Sequence, residues 1–417
     1  MMGDEVSGAP TAAEDSSARW RALTYLSIAE LLALSLWFSA TAVLPALSRE
    51  WQLGDGGRAA LTIAVQLGFI VGTLISALAN LPDICSARIL MATSAALGAA
   101  ANAVLALWVD DLSSALALRF FTGICMAGAY PPAMKVMATW FREGRGVAMG
   151  ILIGALTVGS ALPHLIRGLT ELPWRETLLA ASLLALLSCV IVICWIQDGP
   201  YRFPAARFDY RMAGACFRER ALRLACFGYF GHMWELYAMW AWIGAFLSDS
   251  LISRGGSGYL GHHPSAATFL VIGSGAIGCY VAGVLSDRYG RTAVTIAAMT
   301  LSGICAMLIG FTFGASPVIT IALAILWGIT IIADSAQFST AVTELSAPAY
   351  VGTTLTMQTS VGFGLTIISI WIIPPLVGAV GWRWAFSFLA LGPFLGVVAM
   401  SRLRAAPEAL KLAGGRR

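Results

Sequence analysis

Hydrophobic residues run along this chain in blocks of about 20, separated by short polar stretches, from Arg21 to Arg404. Blocks of that length and so poor in charge have the dimensions of helices crossing a bilayer. The pattern predicts twelve spans, at about 21–47, 58–80, 88–109, 113–136, 146–166, 176–196, 222–247, 265–285, 292–313, 317–341, 352–374 and 383–401. Residues 1–20 read as a polar, disordered tail, without the basic start and apolar core of a secretory signal. The longest interior polar stretch, 197–221, begins with Asp198-Gly199-Pro200 and divides the spans six and six. The expected organisation is a tail 1–20, an N-terminal bundle 21–196, a linker 197–221, a C-terminal bundle 222–404 and a tail 405–417.

The two halves repeat. Glu30 and Glu235, Asn80 and Asp287, Gly146 and Gly352, and the pairs Trp174-Arg175 and Trp382-Arg383 all recur at one offset of roughly 206 residues. Six spans bring each copy into the membrane from the same side, so the duplication is parallel, about an axis along the membrane normal. Of the 26 Lys and Arg residues, Arg49, Arg58, Arg167, Arg175, Arg254 and Arg383 fall on one side and Arg119 within a span. The remainder lie on the side of both termini, which places the termini in the cytoplasm.

Composition narrows the function classes. The chain is 58% hydrophobic and 12% charged, with a net charge of +4. The basic residues form no patch, which excludes nucleic acid as a partner. The eight cysteines sit in apolar spans or in loops placed in the cytoplasm, so no disulfide framework is expected. No Cys/His cluster suggests a metal, and no constellation suggests a cofactor or an enzyme.

The exceptions to the apolar pattern carry the candidate chemistry. Glu235 stands in the run Gly231-His232-Met233-Trp234-Glu235-Leu236-Tyr237-Ala238-Met239-Trp240-Ala241-Trp242. On a helix, His232, Glu235, Met239 and Trp242 share a face. Placing an acid at bilayer depth costs several kcal/mol, so its presence points to function. The deepest ionisable residues are Glu30, Arg119, Glu235 and Asp334, in spans one, four, seven and ten. A carboxyl group in a poorly hydrated site can take up and release protons near neutral pH. Glu30, Glu235 and Asp334 are therefore candidates for proton coupling or, alternatively, members of structural ion pairs. His232 modulates Glu235, touches solute or, as the alternative, is a satisfied core histidine. Arg119 binds an anionic group of the solute or neutralises an acid, though a simple pair with Glu30 is disfavoured by their different depths. Trp37, Tyr130, Tyr237, Trp242, Gln337 and Gln358 are candidate solute contacts, with helix packing as the alternative.

The loop after the eighth span reads Gly283-Val284-Leu285-Ser286-Asp287-Arg288-Tyr289-Gly290-Arg291-Thr292. Gly283 permits close helix packing, Asp287 can cap a helix or pair with an arginine, and Gly290 allows a tight turn. This loop resembles the G-x-L-a-D-r-x-G-r-r signature of the major facilitator superfamily, and Arg119-Phe120-Phe121-Thr122-Gly123 resembles that family's fourth-helix R-x-x-x-G motif. The Trp-Arg pairs before spans six and twelve are similar to a further family feature. The first-half loop, Ser76 to Asp83, is degenerate, with Asn80 or Asp83 in the place of the acid.

The resemblance, covering Arg21 to Arg404, implies an all-α membrane protein. It would have twelve helices in two pseudo-symmetric six-helix bundles, both termini cytoplasmic, as a multi-pass monomer in a bacterial inner (plasma) membrane. It implies alternating access around a cavity lined by spans one, four, seven and ten, with Gly283, Asp287, Arg288, Gly290 and Arg291 as a cytoplasmic latch. The function expected is proton-coupled transport of a small organic solute, anionic if Arg119 binds it, with uptake favoured over export. Proton-driven efflux of a hydrophobic or cationic compound is the alternative, and a transport-inactive receptor or scaffold a remote one. Thr157-Val158-Gly159-Ser160 lacks the glycine-asparagine motif of nitrate porters, and Pro163 stands without the Gly-Pro pair of drug/proton antiporters.

Overall fold

Twelve long helices account for nearly all of the described chain in the computed structural model, which describes residues 12–81, 85–141, 144–170, 172–201, 214–253, 264–347 and 350–416. The start of the N-terminal tail, Asp83, Arg254 and most of the linker lie outside the described residues. The helices are α1 (Ala12–Leu34, continued by Ser39–Ala42 and Leu44–Glu50), α2 (Asp55–Leu78), α3 (Ala87–Trp108), α4 (Leu112–Trp140), α5 (Arg145–Thr170) and α6 (Trp174–Trp195). The second set is α7 (Arg220–Ile252), α8 (Pro264–Tyr289), α9 (Arg291–Thr312), α10 (Pro317–Leu345), α11 (Val351–Val380) and α12 (Trp382–Arg404). Among the described residues, ten are long and apolar enough to cross a membrane; the other two are α1 and α7, the helices that carry Glu30 and Glu235.

Within each half the same neighbours recur. In the first, α2 packs on α4 and α3 on α6; in the second, α8 packs on α10 and α9 on α12. The halves meet where α2 lies along α11 and α5 along α8. Glycines set the closest crossings: a Cβ on Gly123 would collide with Val65 backbone on α2, and one on Gly328 with Val271 backbone on α8. A further repeat ties α6 to α1 and α12 to α7. Trp174 Nε1 donates to Glu50 (2.7 Å), and Trp382 Nε1 donates to Asp249 (2.8 Å). The outer helices α3, α6, α9 and α12 expose Leu97, Leu183, Ile304 and Phe394, an apolar surface suited to lipid rather than water.

Several helices are interrupted where the apolar pattern reads as continuous. The first span, expected as one helix over 21–47, opens at residues 35–38. Ser35 donates to the Leu32 carbonyl (2.7 Å) and to Ala181 on α6 (3.2 Å), a back-bonding arrangement that bends helices. Helix α4 opens at residues 128–129, just before Pro131-Pro132, whose missing N–H groups cannot continue the ladder. Its counterpart α10 opens at residues 332–334 without any proline. Gly290, with φ of +93°, makes the turn from α8 to α9. Asn80, with φ of +53°, ends α2 in a left-handed conformation that asparagine tolerates, so it serves there as a turn residue.

Candidate functional site

A cavity of about 520 Å³ opens on the face where α1, α5, α7 and α11 end, between the two halves. That volume suits a small organic molecule. Beneath it, six aromatic side chains from α1, α2, α7 and α11 close the centre: Trp37, Phe38, Phe69, Tyr237, Trp240 and Phe363, all buried. Ring centroids lie 4.5 Å apart for Phe69–Phe363, 5.0 Å for Tyr237–Phe363 and 5.6 Å for Trp37–Phe363. Below this septum is a void of about 20 Å³, room for roughly one water, bordered by Tyr130, Tyr229 and Tyr237. On the opposite face, where α1 begins, the described ends of α5 and α8 close against each other, Gly146 beside Asp287.

The opened turn of α1 explains Arg119. Its guanidinium, wholly buried, donates to the carbonyls of Leu36 (2.9 Å) and Trp37 and to the Ser39 hydroxyl (3.1 Å). Ser39 in turn donates to Asn102 (2.8 Å), whose amide nitrogen reaches the Leu178 carbonyl and Ser182. Arg119 thus supplies donors to carbonyls released by the break and holds Trp37 and Phe38 in the septum. Among the described residues it contacts no carboxylate and lines neither cavity. Glu30, one turn before the break, is the opposite case. It is wholly buried, and among the described residues neither carboxyl oxygen has a hydrogen-bond partner. Tyr130 is within electrostatic range of it.

In the second half the acids are held. Glu235 accepts from Trp327 Nε1 (2.7 Å) on α10 and from Ser302 Oγ (2.9 Å) on α9. It therefore points into the C-terminal bundle, away from both cavities. Its neighbour one turn earlier, His232, turns to Asp334 instead: Nδ1 lies 2.8 Å from Oδ1, off the ring nitrogen's hydrogen-bonding direction. Asp334 is placed there by the opening in α10. The Glu235 contacts give a stability test. Trp327→Phe deletes the donor and also the five-membered ring of a fully buried side chain, and unfolding should become easier by at least about 1–2 kcal/mol. A melting temperature equal to the wild type would show that the bond contributes nothing.

The closed face is built around Arg291. This buried side chain donates to Ser286 (2.9 Å), Asp287 (3.0 Å), Gln337 Oε1 (3.0 Å) and Glu344 (3.2 Å), tying α8, α9 and α10 together. The segment Pro407–Gly415 covers the cluster, with the Ala413 amide donating to Glu344 (3.0 Å) and Arg416 to the Asp287 carbonyl. Across the interface, α5 presents Gly146, where a Cβ would lie 2.5 Å from an Asp287 carboxyl oxygen. A Cβ on Gly283 would likewise lie 2.7 Å from the Gly146 carbonyl oxygen. Arg288 turns outward over the Tyr289 ring (5.4 Å).

The residues singled out from the sequence are therefore distributed over distinct places. Trp37 and Tyr237 lie in the septum, Tyr130 borders the small void, and Trp242 borders the large cavity while donating to the Ile370 carbonyl (3.0 Å). Gln337 joins the closure, and Gln358 is buried with both amide atoms unpartnered among the described residues. Sequence reasoning missed Trp327 and Ser302 as partners of Glu235, Asp334 as partner of His232, and the charged lining of the large cavity. That lining was partly legible: His164 and Arg167 lie three apart on α5, hence on one face.

The Major Facilitator Superfamily model matches residues 26–252. An "Uncharacterized transporter ESBP6" of Saccharomyces cerevisiae is 25% identical over 195 residues, 44% of this chain and 28% of that protein. A "Probable sulfoacetate transporter SauU" of Cupriavidus necator is 26% identical over 195 residues, covering 42% and 44%. A "Fujikurins efflux protein" of Gibberella fujikuroi is 31% identical over 125 residues, covering 28% and 26%. The chain spans less than half the length of each of these relatives. Among solved structures, a point mutant of the nucleoside transporter NupG superposes with a TM-score of 0.69 at 14% identity, covering 91% of this chain and 99% of the other. The human organic anion transporter MFSD10 (TETRAN) gives 0.68 at 17% identity, covering 92% and 99%. At such identities the likeness concerns the fold.

Proposed function

The chain belongs to the major facilitator superfamily, and from that premise we propose that it is a proton-coupled secondary transporter of a small organic solute. It works by alternating access as a monomer in a bacterial inner membrane. Both termini are cytoplasmic, as the distribution of arginines supports. The open cavity then faces outward, and the Arg291 cluster is the cytoplasmic latch.

The single observation that carries proton coupling is Glu30: a fully buried carboxyl group with no partner for either oxygen among the described residues. A bare charge in that position would be very costly, so the group is held there with a proton and parts with it when the bundle opens. Glu235 and the His232–Asp334 pair, also without a permanent cation among the described residues, are the counterpart sites in the second half. Arg119 is a positioning residue, acting through the septum it holds. In proteoliposomes the wild-type protein should concentrate its solute under an imposed pH gradient and merely equilibrate it once a protonophore is added. Concentration unaffected by the protonophore would refute the coupling.

The latch can be tested apart from any solute. Gly146→Val places branched carbons against the Asp287 carboxyl group and should part the cytoplasmic ends of α5 and α8. Spin labels on those two ends should report a longer mean distance than in the wild type. An unchanged distance distribution would remove the latch role from this contact. A second reading, efflux of an apolar or cationic compound, is favoured by the aromatic septum and by the name of the Gibberella relative. Deletion strains gaining drug sensitivity would select it.

A further inference from the structure

The walls of the outward cavity carry an imbalance of charge. Arg49, Arg58 and Arg167 line it together with His164, against two acids, Asp55 and Asp249. Both acids are engaged. Asp55 lies 3.6 Å from Arg58, and Asp249 accepts from Trp382 Nε1 at 2.8 Å. Arg49 and Arg167, by contrast, bond only to backbone carbonyls, of Pro45 (3.1 Å) and Ala42 (3.2 Å), and pair with no carboxylate among the described residues. The two guanidinium groups lie within electrostatic range of each other, and His164 within range of Arg167. His164 is 5% exposed, lines the cavity, and has no partner for Nε2 among the described residues. Like charges held together beside an unfilled buried donor or acceptor form a site that an anion would complete.

We propose that this cavity is an anion site. Arg49 and Arg167 hold the carboxylate or sulfonate group of the transported solute, with His164 hydrogen-bonded to it below. The inference rests on the transporter reading and gives it a substrate class. It also relocates the anion-binding role from Arg119, whose two terminal nitrogens donate to α1 and which lines neither cavity, to the outward cavity. The solute would meet this site before reaching the septum, so selection for charge precedes transport.

The test is equilibrium binding to the purified wild-type protein in nanodiscs, without any gradient, read by the fluorescence of tryptophan, since Trp242 borders the cavity. The probes are methanesulfonate and succinate, with succinamide and putrescine as the neutral and cationic counterparts. Wild-type protein should give a saturable response to at least one anion and none to the amide or the diamine. Arg167→Gln and Arg49→Gln should each weaken it at least about tenfold, the order a lost charge-assisted pair implies. Arg167→Lys should recover part of it. Arg49 is exposed, so its variant keeps the result interpretable if Arg167→Gln folds poorly. No saturable anion response, equal binding of the diamine, or unchanged affinity in the Arg49 variant would overturn the proposal. Because no gradient is present, loss of proton coupling with binding intact would count against the transport mechanism and leave this site standing.

Discussion

Arg119→Met is expected to lose transport altogether and to melt well below the wild type. The substitution removes the donors that satisfy the Leu36 and Trp37 carbonyls and the Ser39 hydroxyl. The Leu36 carbonyl keeps the Ser39 hydroxyl as a donor (3.0 Å) and Ser39 keeps Asn102, so the loss falls mainly on the Trp37 carbonyl and costs about 1–3 kcal/mol, offset in part by relief of a buried charge. The chain has one escape, which is to rewind residues 35–38 into helix so that the carbonyls find their own partners. Helix α7, the counterpart of α1, is unbroken over Arg220–Ile252. Rewinding changes the helical phase of the stretch and would carry Trp37 and Phe38 out of the septum. Either route ends transport. Arg119→Lys keeps a charge and three donors, without the planar fork, and should recover stability in part. A monodisperse, fully active Arg119→Met protein with an unchanged melting temperature would contradict this account of α1.

The second large effect is at Glu30. Glu30→Gln should leave the protein at least as stable as the wild type while abolishing accumulation driven by a pH gradient. Among the described residues the carboxyl oxygens have no partners to lose, and a carboxamide of the same shape carries no charge into the bundle. Glu235→Gln should behave differently. Both oxygens of Glu235 accept hydrogen bonds, and the amide nitrogen of glutamine fits only toward Ser302, whose hydroxyl must turn from donor to acceptor and give its proton to the Met299 carbonyl. That variant should lose coupling and also about 1–2 kcal/mol of stability. The contrast, one acid separable from folding and the other not, is measured by melting temperature beside transport on the same preparations.

Much of the fold was written in the hydrophobic pattern because bilayer thickness dictates span length and the repeat fixes the pairing of halves. Glu50 with Trp174 and Asp249 with Trp382 show how far the duplication reaches into side-chain contacts. The openings in α1 and α10 were not legible. Residues 35–38 and 332–334 contain neither proline nor glycine, and the α1 opening is held by an arginine from another helix. The same limit applies to the site. Four deep ionisable residues stood out by type, but which way each turns depends on helix rotation. Glu235 faces Ser302 and Trp327 inside its bundle, and His232 faces Asp334 instead of Glu235, one turn away. Arg167 counted in sequence as a flanking charge, whereas the packing of α5 beside α1 and α8 makes it the wall of a cavity.

The central claim is that solute movement is tied to a proton carried on Glu30. It is tested most directly in proteoliposomes holding either the wild-type protein or Glu30→Gln, under an imposed pH gradient, with uptake of the anion that binds best to the outward cavity followed over time. The wild type should concentrate the anion above its external level, and Glu30→Gln should bring it only to equality at a comparable initial rate. Concentration of the anion by Glu30→Gln to the wild-type level would contradict the claim.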